Sequence, residues 1–379
     1  MARIDLQQKM SRIRLHLARR LGRRSEPRSS AAHLDFVEQA LEPYVRGVRE
    51  QIAPLTRGDK LLLVGPFDGE VGFELLYWVP LVRWIVREFP ELEGRLVVVS
   101  RGGVQRWYTG IGARYIDIFS LASPDEVLRR RVSSKQQMVS DFDRDIYARA
   151  RDRLGLDATN ELHPSLLFAI YYRLLKVDRY AFARSVRRTE RGASGLLAEY
   201  SPMDRVPLGP LEAELPDEYV AVRFYSRPSF PDCNETRAFA RSVVVSLARH
   251  TNVVLLNNGM ELDDHADHLE GFALPERVHS IDHLMTPETN LDVQTAAIGR
   301  SRAFVGTYGG LSYLAPYLGV PSVGFSTLPE YTFHGHLNLA ERVFDGPRWG
   351  RLRALEPADV ELLGALAGRG SHGSLVVER

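Results

Sequence analysis

The chain has 379 residues, 44% of them hydrophobic and 26% charged, a length that predicts two domains and a composition that excludes a disordered or fibrous protein. The formal net charge of +1 hides +7 in residues 1–30 and therefore −6 elsewhere, which excludes the body as a nucleic-acid-binding surface. The single cysteine, Cys233, excludes an internal disulfide and suits a reducing compartment.

Leu6, Met10, Ile13, Leu17 and Leu21 recur at spacings of three and four, with Lys9, Arg12, Arg19, Arg20, Arg23 and Arg24 between them. This pattern predicts a basic amphipathic helix that lies on an anionic membrane surface, the alternative being a helix packed on the body or disordered. Arginines interrupt its apolar residues, so it is not a signal peptide. No run approaches the ~18 apolar residues of a membrane span. Pro27 and the serines around it read as a linker.

A helix is expected over His33–Ile52 and a strand over Lys60–Val64, leading into a glycine loop, Gly65–Gly72. A long helix should follow, Phe73–Phe89, bent at Pro80. Leu96–Ser100 and Tyr115–Phe119 read as further strands. Strands alternating with helices predict a doubly wound parallel sheet, with ligands at the carboxyl ends of the strands. Ser133–Leu156 reads as a charged surface helix with a solvated face. Leu162–Phe182 reads as an aromatic helix, either core or the wall of an acceptor cleft. Arg184–Pro216 is polar and rich in Gly and Pro, as a linker between domains should be.

The second half opens with a strand, Tyr219–Arg223, and Arg223 and Arg227 follow each other at its carboxyl end. Two guanidinium groups there suit a pyrophosphate; salt bridges to Asp232 or Glu235 are the alternative. Arg237–His250 and Asn290–Arg300 read as helices, and Val253–Asn257 and Val278–Ile281 as strands. The stretch Arg302–Phe325 organises the chain: a buried strand, the loop Gly306–Gly310, a short helix over Ser312–Leu318, Gly319 as its stop and another strand. A glycine loop opening a helix presents free N–H groups and the positive end of the helix dipole, which suits a phosphate. Thr307 and Ser312 flank the glycines with hydroxyls; the alternative is that the glycines only permit close packing. His334 and His336 lack the further ligands of a zinc site and suit a loop facing the cleft. A closing helix is expected over Pro357–Ala367.

Val305-Gly306, Gly309-Gly310, Leu314-Ala315 and Leu318-Gly319-Val320-Pro321 resemble the donor-binding segment of GT-B-fold nucleotide-sugar glycosyltransferases, heptosyltransferase-like families above all. Where those families carry Asp-Ser-Gly and then a histidine, this chain has Tyr308-Gly309-Gly310 and then Tyr313. Gly69-Glu70-Val71 resembles the acidic turn of their first loop, which implies Glu70 as catalytic base, with Asp68 and Glu74 near enough in sequence to compete. Glu70 as a helix N-terminal acid is the alternative. The strand end at Arg223 is more weakly similar to fucosyltransferase-like enzymes.

The resemblance implies an α/β chain of two Rossmann-like doubly wound domains facing across a cleft. Its parts are the basic helix and linker 1–30, an acceptor domain 31–205, a nucleotide-sugar domain 206–345 and a C-terminal helix and tail 346–379. It implies a donor phosphate site of Arg223, Arg227, Thr307, Tyr308, Gly309, Gly310, Leu311 and Ser312, a nucleotide-base site at His283 and Leu284, and Gly69 and His334 in the cleft. The expected function is sugar transfer from a nucleotide diphosphate-sugar to a hydroxyl of a cell-envelope glycolipid or polysaccharide precursor, inverting, with no metal and no cofactor. The expected place is the cytoplasm, with peripheral contact to the inner face of the plasma membrane through residues 1–24, and no nucleic-acid partner. A sugar-nucleotide epimerase or other transferase of the same fold is the alternative, and so is a non-catalytic binding scaffold, which needs the phosphate site but not Glu70.

Overall fold

The computed structural model describes residues 31–357 and 359, apart from 134–135, 205–208, 261–265, 270, 272, 274 and 329–330. The basic helix expected over residues 1–24 and nearly all of the closing helix lie outside the described residues. The chain divides into two units, Met1–Gly47 and Val48–Arg379. The described part of the first is the start of a helix, Ala31–Ile52.

The second unit contains two parallel sheets. The first has the order β3-β2-β1-β4, from β1 (Leu62–Val64), β2 (Leu96–Ser100), β3 (Arg114–Asp117) and β4 (Asn160–Leu162). Between the sheets in sequence lies a small antiparallel ribbon of β5 (Arg187–Thr189), β6 (Gly192–Gly195) and β7 (Ala198–Tyr200), within the stretch expected to be a linker. The second parallel sheet comprises β8 (Tyr219–Arg223), β9 (Asn252–Leu255), β10 (Val278–Ser280), β11 (Ala303–Thr307), β12 (Ser322–Phe325) and β13 (Leu352–Leu355), in the order β10-β9-β8-β11-β12-β13. Every residue of β1, β2 and β8 is buried, as the continuous apolar runs of a parallel sheet covered on both faces require. Val97, Ile116, Tyr147 and Ala150 form part of the first core, and Val222, Phe224, Val253 and Phe325 part of the second.

In each sheet the chain starts on an inner strand, steps one way, then returns to the starting strand's other side. The reversals fall between β1 and β4 and between β8 and β11. At such a point the loops leaving neighbouring strands part and open a crevice at the carboxyl ends. The loop after β1 carries Asp68, Gly69 and Glu70, and those after β8 and β11 carry Arg227 and Tyr308–Gly310. The topology thus sets each group of candidate residues at the crevice of its own sheet.

The helix after the acid loop is broken up more than a bend at Pro80 implies. A turn over Val71–Phe73 leads into a π-helical turn, Glu74–Trp78, and then an α-helix, Val79–Glu88. Val79 N–H bonds Glu74 O, five residues back. Pro80 has no N–H to offer the Leu76 carbonyl and its ring crowds that carbonyl. Tyr200 Oη donates to Leu76 O instead (3.2 Å), and Tyr317 Oη to Leu75 O (2.7 Å). Tyr317 belongs to the second half, so its bond to Leu75 O ties the broken helix to the second sheet's layer.

Within the range expected as a surface helix, Ser133–Leu156, lies the helix Asp141–Leu154, opened by a capping box on Ser140; a separate helix, Pro124–Ser133, ends where that range begins. Asp143, expected on a solvated face, is fully buried beside Arg130 and His163. The sequence signals neither β4 nor β13, both short, and β13 extends the second sheet beyond residue 345. No helix among the described residues is long and apolar enough to cross a membrane.

Candidate active site

Two cavities open at the crevice. The smaller, about 60 Å³, is lined from the first half by Glu70, Gly72 and Arg101, and from the second by Arg223, Arg227 and Gly310, among others. The larger, about 490 Å³, is walled by aromatic rings, with Asp68 and Arg130 also in its lining. Glu70, Gly72, Arg227 and Gly310 line both.

The anion side is built on the glycine loop. Gly309 has φ +109°, a conformation that side-chain-bearing residues rarely adopt. A Cβ there would lie 1.8 Å from Arg227 Nη1. Arg227 Nη1 donates to Tyr308 O (2.8 Å), and its guanidinium lies over the Tyr308 ring, 5.8 Å from the centroid. Arg227 Nε is buried without a hydrogen-bond partner among the described residues. Gly310 and Leu311 open the helix Gly310–Tyr317, and among the described residues their N–H groups have no backbone partner. Both residues line the smaller cavity, so two free donors and the positive helix end meet Arg227 there.

Three members of the expected phosphate site are turned to other work. Thr307 Oγ1 accepts from Tyr225 N–H (2.9 Å) and donates to Tyr225 O (3.0 Å), tying the loop after β8 to β11. Ser312 Oγ accepts from Gly309 N–H (3.0 Å), capping the helix. Both hydroxyls belong to fully buried residues and face the protein. Arg223 does line the cavity, but its Nε donates to Asp267 (3.0 Å) and its Nη1 to Gln294 (2.9 Å), so its charge is already matched. The partner is Asp267 rather than Asp232, which pairs with Arg237, or Glu235.

The three acids of the first loop separate cleanly. Glu70 is exposed, precedes the turn Val71–Phe73 in extended backbone conformation, and makes no side-chain capping bond. Its charge acts on both Arg227 and Tyr171. Asp68 is buried and reaches the larger cavity, but its carboxylate lies 3.4 Å from Arg130 Nε. Glu74, a candidate base by sequence, is fully buried and outside the lining of either cavity. It accepts from Ser100 Oγ and Tyr108 Oη (both 2.7 Å) and from Arg101 Nη1 (3.0 Å). Burial pushes its pKa up against those three partners. A carboxyl so enclosed reaches no substrate, and Glu74 is corrected to a structural role.

His283 and Leu284 lie outside both linings; His283 is exposed and faces Glu214 and Asp282. Asn258 and Asn290 line the smaller cavity instead. Gly69 lines the larger cavity, and its carbonyl accepts from Arg101. His334 is exposed and outside the linings; His336, two residues on, is the histidine of the larger cavity. The helix His334–Val343 turns alternate residues to different faces, so the pair could not be resolved without packing. Phe168, Tyr171 and Tyr172, on the helix Ser165–Val177, wall the larger cavity, the cleft alternative for that aromatic stretch.

His336 sits among Phe73, Tyr77, Tyr171 and Phe333, and Tyr171 Oη lies 2.9 Å from its Nε2. Burial, with Arg227 adding to it, depresses its pKa from 6.5 to about 3. As pH falls below 6.5 the unfolded chain takes up a proton that the folded chain refuses, so this group's contribution to stability declines until about pH 3. Between pH 7 and pH 5 the loss is about 2 kcal/mol. His336→Gln, which does not titrate, is expected to flatten that part of the stability–pH curve in denaturant titrations; parallel wild-type and variant curves would refute an imidazole held neutral by its surroundings.

No family model matches the chain, and no curated protein is similar to it. Solved structures similar to it include a glycosyl transferase of family 9 from Veillonella parvula, with 13% identity, TM-score 0.42, and coverage of 84% of this chain and 91% of that one. Another is the E. coli ADP-heptose LPS heptosyltransferase II, with 16% identity, TM-score 0.43, and 81% and 98% covered. A third is a putative UDP-N-acetylglucosamine 2-epimerase from Listeria monocytogenes, with 12% identity, TM-score 0.33, and 83% and 98% covered. The chemistry of the site stands on this chain's own residues.

Proposed function

We propose that the chain is a glycosyltransferase that moves a sugar from a nucleoside diphosphate sugar to a hydroxyl acceptor. The observation that carries this reading is that Glu70, Arg227 and Gly310 line both cavities, one suited to an anion and the other walled by aromatic rings with polar side chains among them. A transferase needs this juxtaposition: a group that takes a proton on one side and donors for a leaving anion on the other. The acceptor hydroxyl attacks the sugar C1 as its proton passes to the Glu70 carboxylate. The bond from C1 to the diphosphate oxygen breaks, and the electron pair leaves with the diphosphate. Arg227, the N–H groups of Gly310 and Leu311 and the helix dipole stabilise that charge without calling on a metal ion. A single displacement of this kind inverts the configuration at C1.

The acceptor side supports a lipid-linked or glycolipid acceptor. The large exposed hydrophobic residues among those described are Met138, Val139, Tyr172, Tyr331 and Phe333. Tyr172, Tyr331 and Phe333 line the larger cavity, and Gln137, next to Met138, reaches Tyr172 Oη (3.4 Å). An apolar rim on a polar-floored cavity suits a molecule with a sugar head and a hydrocarbon tail. The basic segment 1–24 would add attraction to an anionic membrane, placing the enzyme on that surface.

Thermal-shift titration with nucleoside diphosphates and their sugars tests the donor half of this reading. Binding raises stability by RT ln(1 + [L]/Kd), about 2.7 kcal/mol at a hundredfold excess over Kd, so the matching base should stand out as the largest shift. No shift with any nucleotide or nucleotide sugar would remove the reading.

A further inference from the structure

Arg101 was not among the residues expected at the site, and it is the cation that the first half contributes to the smaller cavity. It follows β2 directly and is 6% exposed. Nη1 donates to Glu74 Oε2 (3.0 Å) and Nη2 donates to Gly69 O, the carbonyl beside Glu70. Glu74 is held in turn: its Oε1 accepts from Ser100, which directly precedes Arg101, and from Tyr108. The backbone next to Arg101 is fastened across the crevice, because Gly102 O accepts the N–H groups of Leu291 and Asp292 (both 2.9 Å) at the start of the helix Asn290–Arg300.

We infer that Arg101 is a third phosphate-binding group, reaching the donor's diphosphate from the half opposite Arg227, and that the buried Glu74 is its positioning residue. This rests on the diphosphate reading above. A guanidinium binds phosphate oxygens through paired N–H groups whose direction matters, and a long side chain at a cavity wall loses entropy unless something holds it. Glu74 does so with its carboxylate on one arm of the fork, and Gly69 holds the other, leaving the remaining N–H directions for an anion. The same fork links the diphosphate to the loop bearing Glu70, so a bound donor and the proton acceptor share one support. Burying a glutamate under three donors costs desolvation, and the cost is understandable where it fixes a cation's direction.

The test is a double-mutant cycle with Arg101→Gln and Glu74→Gln. Calorimetry would measure the nucleoside diphosphate that gives the largest thermal shift and, separately, the nucleoside with the same base. Arg101→Gln keeps a polar stem but removes the charge and the Nη1 that reaches Glu74. Diphosphate affinity is expected to fall about tenfold or more in Arg101→Gln while nucleoside affinity stays unchanged. Glu74→Gln is expected to show a smaller loss, and the double variant no more than Arg101→Gln alone, because a positioning residue has nothing left to position. Additive losses, or equal losses for nucleoside and diphosphate, would mean that the pair only holds the fold and would overturn the inference. Should Glu74→Gln fail to fold, the contrast between diphosphate and nucleoside in Arg101→Gln still decides. Arg227→Ala is the control: a loss there with none in Arg101→Gln overturns this inference and leaves the diphosphate site standing, whereas a wild-type protein that binds no nucleotide sinks the reading beneath it.

Discussion

Glu70→Gln is expected to lower the single-turnover rate by about 10²–10⁴-fold, the usual worth of general-base catalysis, with donor affinity and melting temperature little changed. The substitution keeps shape and hydrogen-bonding reach but removes the capacity to take a proton. The competing role, a cap on the following turn, gives the opposite pair of results: a stability loss of roughly 1 kcal/mol and a near-normal rate. The structure sharpens the contrast, since Glu70 makes no side-chain capping bond and it is the Glu70 carbonyl that accepts from Phe73 and Glu74 N–H (both 3.0 Å). Asp68→Asn and Glu74→Gln are the companions. Asp68→Asn should disturb the pair with Arg130 and the acceptor cavity, and Glu74→Gln the Ser100–Tyr108–Arg101 cluster, each through folding or binding. A dead Asp68→Asn beside a fully active Glu70→Gln would move the base by two residues; full turnover in all three would end the acid-loop mechanism.

Gly309→Val is expected to abolish nucleotide binding, an affinity loss of at least about a hundredfold by calorimetry, while a cooperative thermal transition survives at lower temperature. Two effects combine. The residue's φ of +109° strains any side-chain-bearing residue, and its Cβ would fall 1.8 Å from Arg227 Nη1. Displacing Arg227 removes a charge-assisted hydrogen-bond donor, worth about 1.5–3 kcal/mol, and shifts the N–H groups that follow. Gly310→Val should be milder. The Gly310 φ of +29° strains a side chain there too, but its Cβ would lie 2.9 Å from Tyr225 Oη, the far end of a side chain that can swing aside. Unchanged nucleotide affinity in a folded Gly309→Val protein would remove the anion site from this loop.

Much of the frame was legible in the residues. Short apolar runs such as Leu62–Val64 and Tyr219–Arg223 can pack only between two layers of helix, and each ends in Gly or a polar residue, so parallel sheets with functional loops follow from local pattern. The αL stop at Gly319 (φ +74°) and the break near Pro80 are local too, because they depend on what one residue's backbone can do. β4 and β13 were invisible for the same reason: Asn160-Glu161-Leu162 has no strand pattern of its own and pairs because β1 is there to pair with.

The roles of charged and polar side chains belong to the tertiary structure. Glu70 and Glu74 stand four residues apart, Glu70 in the acid loop and Glu74 in the π-helical turn after it, yet one is exposed at the joined cavities and the other sealed against Arg101. Arg223 looked available until the chain returned with Asp267 to match it, and Thr307 and Ser312 looked like ligand groups until their hydroxyls found backbone partners. Arg101 carried no sequence signal at all, since an arginine after a strand is ordinary until Glu74 aims it into a cavity. By itself the sequence determined where strands end and where the backbone can turn, because those preferences act within a few residues. Which polar atoms remain free for a substrate was decided only on folding, because a buried donor or acceptor must find a partner, and that partner often lies tens of residues away.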